Sequence, residues 1–187
     1  MAYQMEYESH AAEPLPLRNV ESVHQYCKKV AEWISGVDKK PSLAILGGVG
    51  TGKTTLLKAV LYWMKAVGIG VKYIKANNLP TIASDDRDVY EAMLKPNEFY
   101  DFLLIDDVGE EPTELTHYGN KISLFSRIIE ERYEYRLPTI ITSNLALRDG
   151  ADISFKTQYN NRVYDRMRET FNVLLMVGDS YREKTGA

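Results

Sequence analysis

Residues Gly47, Gly48, Val49, Gly50, Thr51, Gly52, Lys53 and Thr54 stand in the order and spacing of a phosphate-binding loop. Such a loop needs glycines, because only they let the backbone curl until successive N–H groups point at one phosphate. Gly47, Gly50 and Gly52 fill that need. A helix starting at about Lys53 turns the positive end of its dipole toward the same phosphates. The Lys53 ammonium then reaches the β- and γ-oxygens, the Thr54 hydroxyl is placed to ligate Mg²⁺, and Thr55 follows in the same cradle. The chemistry is capture of a nucleoside triphosphate. A glycine-rich turn matching by chance would lack the apolar run 43–46 before it and TLLKAVLYWM after it.

Hydrolysis asks for more: an acid to hold the metal, a group to orient water, and positive charge for the transferring phosphoryl group. In FLLIDD, Asp106 can hold Mg²⁺ through water and Asp107 can polarise or orient the attacking water, a role for which Glu110 and Glu111 compete. Acids in a solvated turn are the plain alternative. Their place just after an apolar strand and downstream of a phosphate loop favours chemistry. In TIITSN, the Asn144 amide can hydrogen-bond a γ-phosphate oxygen and the lytic water, or it is a turn-forming asparagine, and position alone does not choose. In NNRVYDRMRE, Arg162 and Arg166 lie four apart on one helix face, with Arg168 turned away. With Asp165 and Glu169 beside them they read as a surface ion-pair lattice. A functional arginine supplied by a neighbouring subunit is worth on the order of 10³ to 10⁵ in rate.

These residues have to be carried by strands and helices. Val23, Cys27, Val30 and Ile34 recur at helical spacing, with Ser22 and Gln25 as a capping box and Gly36 as a stop. Residues 43–46 form the first strand and 53–67 the phosphate-loop helix, broken by Gly68 and Gly70 before a second strand containing Val71, Tyr73 and Ile74. Residues 77–96 hold one or two short helices. Residues 102–105 are a strand apolar throughout, as expected of one buried on both faces of a parallel sheet. Ile122, Phe125, Ile129 and Tyr133 mark the next helix, 139–142 a fourth strand, 160–169 the arginine-rich helix and 172–177 a fifth strand. Alternating strands and helices give an α/β fold, a three-layer α/β/α sandwich with a mainly parallel sheet. Ligands in such sheets lie at the C-terminal ends of the strands, where Asp106, Asp107 and Asn144 fall.

A chain of 187 residues with 44% hydrophobic residues suffices for one domain with a full core. Residues 1–18 lack periodicity and read as an extended or disordered arm, leaving 19–187 as the domain. A net charge of −3 argues against non-specific coating of nucleic acid. The lone Cys27 excludes an internal disulfide and a cysteine-based zinc cage. Acidic Glu6, Glu8 and Glu13 stand where a secretory signal would be basic and then apolar, and no apolar run reaches membrane-spanning length. The expectation is a soluble, cytoplasmic protein without a membrane partner.

Taken in order, GGVGTGKT, FLLIDD, RLPTIITSNL, NNRVYDRMRE and GDSYR resemble the ATPase domain of bacterial replicative helicase loaders of the DnaC type, a branch of the AAA+ superfamily of P-loop NTPases. The closely related transposition-helper ATPases of the IstB type share this layout. The resemblance covers residues 41–182. It implies a parallel five-stranded sheet of order 5-1-4-3-2 and an ATPase using ATP and Mg²⁺. By the same resemblance Gly47, Gly52, Lys53 and Thr54 match Walker A, Asp106 the metal-coordinating Walker B acid, and Asn144 the sensor of the γ-phosphate. Arg162 and Arg166 match the region that supplies a trans-acting arginine finger, with Arg166 favoured, and Arg182 matches the second sensor arginine. Implied partners are a replicative helicase or a transposase-like protein, single-stranded DNA, and further copies of the chain in an ATP-dependent homo-oligomer.

Two features depart from the family pattern. Only residues 1–42 precede the first strand, so the helicase-binding module of such loaders is expected to be absent or much reduced. Asp106-Asp107 replaces the Asp-Glu of many AAA+ members, which implies slower hydrolysis and leaves the base among Asp107, Glu110 and Glu111. The segment between the second and third strands is acidic at Asp85, Asp86, Asp88 and Glu91 and offers no phosphate track. Two other classes share the phosphate loop: a small-substrate kinase, and a nucleotide-dependent binding module with negligible hydrolysis.

Overall fold

The computed structural model describes residues 20–36, 40–112, 115–117, 120–148, 150–178 and 180. The arm expected over 1–18 and the second sensor candidate Arg182 lie outside them. Helix α1 (Val20–Ile34) precedes strand β1 (Ser42–Gly47), the loop helix α2 (Lys53–Ala66) and β2 (Val71–Lys75). A 3₁₀ turn (Ala76–Asn78) leads into the short helices α3 (Leu79–Asp85) and α4 (Arg87–Leu94). Then come β3 (Phe102–Val108), a hairpin of β4 (Leu115–His117) and β5 (Asn120–Ile122), α5 (Leu124–Glu134), β6 (Thr139–Ser143), α6 (Phe155–Gln158), α7 (Asn161–Thr170) and β7 (Phe171–Met176).

Five strands form one parallel sheet in the order β2-β3-β6-β1-β7. Counted within this sheet alone, that is the expected 5-1-4-3-2 read from the other edge. The strand carrying Asn144 at its end thus lies between the strand entering the phosphate loop and the strand carrying Asp106. Central β1 shows why: Leu43 and Ile45 join one apolar cluster with Leu56, Leu57 and Met64 of α2, while Ala44 and Leu46 join the opposite cluster with Phe125, Ile128 and Met167. A strand apolar on both faces has to sit between two helical layers. Helices α1 and α2 cover one face and α3 to α7 the other.

Three local readings are corrected. Helix α1 runs over Val20–Ile34, so Ser22 and Gln25 fall inside it rather than at its start. The helix through Phe125 starts at Leu124, where the Ser123 hydroxyl accepts the Ser126 N–H at 3.2 Å, and Ile122 belongs to the antiparallel hairpin before it. Strand β3 runs on past Ile105 through both aspartates. The entry to β6 is fixed by Arg132, which is 3% exposed. Its guanidinium donates to Thr139 Oγ1 at 2.8 Å and to the carbonyls of Met93 and Pro138, each at 2.7 Å. Burial among these acceptors lowers its pKa to about 10.

Candidate nucleotide-binding site

Strand β1 delivers the chain to the phosphate loop at Gly47, and α2 carries it away from Lys53. The glycines are required by position. Gly50 and Gly52 have φ of 76° and 90°, and Gly52 caps α2 in the left-handed conformation. A Cβ on Gly47 would strike the Met176 carbonyl at the end of β7, and one on Gly50 would strike the Ser180 side chain. Thr51 is buried with its hydroxyl on the Gly48 carbonyl at 3.0 Å, whereas Val49 is exposed and Thr55 half-buried. Lys53 is 6% exposed, and its ammonium donates to the carbonyls of Gly47 and Gly48 at 2.9 and 2.7 Å and to Asn144 Oδ1 at 2.7 Å. The sensor candidate and the loop lysine, 91 residues apart in sequence, are therefore in direct contact.

Asp106 is fully buried at the centre of a hydroxyl cage. Its Oδ1 accepts from Thr54 at 3.1 Å and Thr142 at 2.5 Å, and its Oδ2 accepts from Tyr73 at 3.1 Å. The Thr54–Asp106 pair is the test for the implied metal. A hydroxyl beside a carboxylate is an all-oxygen, hard donor set that suits Mg²⁺, with phosphate oxygens and water completing the shell. Among the described residues no group of three or more His, Cys, Asp or Glu forms an all-protein metal cage, and a nucleotide-borne Mg²⁺ needs none.

Asp107 sits at an irregularity within β3. Its φ is 58°, the β3–β6 register shifts between Ile105 and Val108, and its N–H donates to Thr142 Oγ1 at 2.8 Å. Aspartate tolerates this left-handed conformation better than most residues. Burial first, and then the Asp106 charge, raise the Asp107 pKa above the ordinary carboxylate value, against the pull of Lys53 and Lys75. Glu110 is exposed. Glu111 is buried, its Oε2 accepting the Gly109 N–H at 2.9 Å and its Oε1 the Tyr159 hydroxyl.

The arginines stand apart from the loop's own contacts. Helix α7 runs directly into β7, whose first residues pair with Ser42 at the start of β1, so the first turn of α7 lies toward the nucleotide edge. Arg162 is in that turn, its side chain 66% exposed and 3.8 Å from Glu130. Arg166, one turn further down, has a side chain 11% exposed. It pairs with Glu134 at 2.7 Å and Glu130 at 3.9 Å and lies 4.8 Å from the centre of the Tyr133 ring. These glutamates belong to α5, so the pairing partners are not the Asp165 and Glu169 expected from sequence spacing.

Sequence reasoning missed Tyr73, Thr142 and Tyr159. Thr142 carried a signal, a hydroxyl within a buried apolar strand, which has to find a polar partner. Tyr73 and Tyr159 carried none, because their partners are 33 and 48 residues away.

A glycine loop between β1 and α2, a buried acid in β3 and an asparagine just after β6 that touches the loop lysine define a P-loop nucleotide-binding protein. The chain belongs to the family of IstB-like ATP-binding proteins, whose model matches residues 6–187. It is 28% identical over 152 residues to the ATP-binding protein of insertion sequence IS232 from Bacillus thuringiensis subsp. berliner, covering 79% of this chain and 58% of that one. It is also 28% identical over 153 residues to the IS5376 counterpart from Geobacillus stearothermophilus, with 80% and 58% covered. The chain thus spans under two thirds of the length of these relatives. In fold it resembles the DnaC helicase loader, with a TM-score of 0.63, 22% identity and coverage of 84% of this chain and 91% of that one. DnaI gives a TM-score of 0.59, 20% identity and coverage of 88% and 87%. Among the described residues no helix is long and apolar enough to cross a membrane.

Proposed function

We propose that the protein is an ATPase whose turnover drives a DNA-directed partner protein, and that hydrolysis depends on assembly with further copies of the chain. The observation carrying the reading is the convergence of Thr54 on Asp106 at 3.1 Å beside Lys53 on Asn144 at 2.7 Å. Four groups from three elements meet where a triphosphate tail on the glycine loop would end. Thr54 and Asp106 would hold Mg²⁺, which when bound neutralises charge developing on the phosphate oxygens. Lys53 exchanges its carbonyl acceptors for β- and γ-oxygens. Asn144 accepts from Lys53 through Oδ1, leaving its amide hydrogens for a γ-oxygen or the attacking water. Asp107 takes the proton as water attacks the γ-phosphorus and ADP departs, a role suited to a carboxylate with a raised pKa.

Arg162 is the arginine best placed to complete a neighbouring copy's site, because it is exposed and loosely paired where Arg166 is clamped by two glutamates and a tyrosine ring. Family membership and the two insertion-sequence relatives support a transposase-like partner. The likeness to DnaC keeps a replicative helicase as the second reading. ATP turnover measured against protein concentration, with and without single-stranded DNA, tests the proposal. Turnover per subunit should rise with concentration; a strictly constant value rejects the assembly requirement. Phosphate transfer to a nucleoside faster than phosphate release would replace the ATPase reading with a kinase.

A further inference from the structure

One partly buried hydrogen bond ties the loop after β3 to Tyr159, just before the helix that carries Arg162. Glu111 is 5% exposed, and both its oxygens are engaged, by the Gly109 N–H and the Tyr159 hydroxyl. On the loop side, Gly109 has a φ of 104°, and a Cβ there would press on Leu145, so the loop is gripped two residues after Asp107. On the helix side, the Tyr159 ring is wedged against Phe125 and Phe155, with ring centres 4.7 and 6.1 Å apart. The next residue, Asn160, caps α7 by accepting the Val163 N–H at 2.8 Å. Arg162 follows within the same turn.

We propose that Glu111 and Tyr159 form a positioning latch that holds the water-activating loop and the start of the arginine helix in one fixed relation, and that Glu111 is not the general base. A base must turn an oxygen toward the reacting water. Glu111 is instead shut between a main-chain amide and a phenol. Burial and the adjacent Glu111 carboxylate raise the Tyr159 pKa, so the phenol keeps its proton and remains the donor. The latch gives the two halves of the site a shared reference: a shift of the Asp107–Glu110 loop on nucleotide binding is carried to the first turn of α7.

The inference rests on the ATPase reading, and the two are separable by experiment. Tyr159→Phe removes the hydroxyl and keeps the ring, Glu111→Ala removes the carboxylate, and Glu111→Gln keeps an acceptor for Gly109 and a donor for the Tyr159 oxygen. In the full chain, Tyr159→Phe and Glu111→Ala should each lower kcat on the order of tenfold at unchanged ATP affinity. Combining them should cost no more than either alone, because they break one contact. Glu111→Gln should retain turnover within about twofold of wild type. A Glu111→Gln protein as inactive as Glu111→Ala makes Glu111 the base and overturns the latch. Hydrogen exchange supplies a readout independent of turnover. A non-hydrolysable ATP analogue should slow exchange in residues 109–111 and in α7 of the wild type, and Tyr159→Phe should lose the α7 response alone. An α7 response equal in the two proteins, or absent from the wild type, overturns the latch. A wild type that binds ATP but never turns it over refutes the ATPase reading, and the exchange result still decides the coupling.

Discussion

The hydroxyl of Thr142 donates to Asp106 Oδ1 at 2.5 Å and accepts the N–H of Asp107 at 2.8 Å. One buried group on β6 thereby sets both the orientation of the Asp106 carboxylate and the left-handed backbone of Asp107. Sheet order makes this reach available, since β6 is the neighbour of β3.

Replacing Thr142 by valine should therefore be costly despite the matched shape. The Asp107 N–H loses its acceptor and Asp106 Oδ1 one of its two donors, a loss of about 1–3 kcal/mol. Denaturant unfolding of Thr142→Val against Thr142→Ser checks this, and serine should recover most of the difference.

Asp107 makes a pH prediction whose sign is set by its raised pKa. Below the unfolded value the carboxyl is protonated in both states and costs nothing; as pH rises through the folded value, the folded state resists ionisation and stability falls. Asp107→Asn should raise the unfolding midpoint at about pH 7 and leave it unchanged at about pH 3. The same substitution removes the proposed proton acceptor and should lower turnover by about 10²-fold or more, measured as phosphate release.

Lys53→Ala should abolish turnover, because it removes an ammonium in contact with both the loop and Asn144. Calorimetry should find no Mg²⁺-dependent ATP uptake. Loss of turnover with ATP binding intact would shift Lys53 from binding to a purely transition-state role.

Arg162→Ala should lower turnover of the assembled protein by up to about 10³-fold while leaving ATP affinity unchanged. Mixing it with Lys53→Ala should restore part of the activity, since one variant has an intact loop and the other an intact arginine. Arg166→Ala should instead lower the unfolding midpoint, through the lost contacts to Glu130, Glu134 and Tyr133. Recovery with Arg166→Ala and none with Arg162→Ala would exchange the two roles.

The loop and the strands were legible because their signals are local. A glycine run between an apolar strand and a helix, or an apolar run ending in acids, is complete within about a dozen residues. The hairpin Leu115–His117 with Asn120–Ile122 was not legible, since strands of three residues carry no alternation to read. The four-residue helix Phe155–Gln158 is likewise too short for a helical period, although its Ser154–Thr157 capping box was present in the chain. The electrostatic partners of Arg166 were hidden for a different reason. Spacing along α7 points to Asp165 and Glu169, while packing brings Glu130 and Glu134 from α5. Helix-to-helix pairing is decided by how the layer packs on the sheet, which no single segment encodes.

The Met176 carbonyl fills the space a side chain on Gly47 would need, and Ser180 does the same over Gly50. The phosphate loop is thus moulded from one side by residues made more than 120 positions later in synthesis. A ribosome-bound chain released only as far as β6 has the glycines and the lysine but lacks the wall against which they are shaped. Nucleotide capture should consequently wait until β7 has been made and packed beside β1, and a fragment ending before β7 should carry the signature motif without the ability to use it.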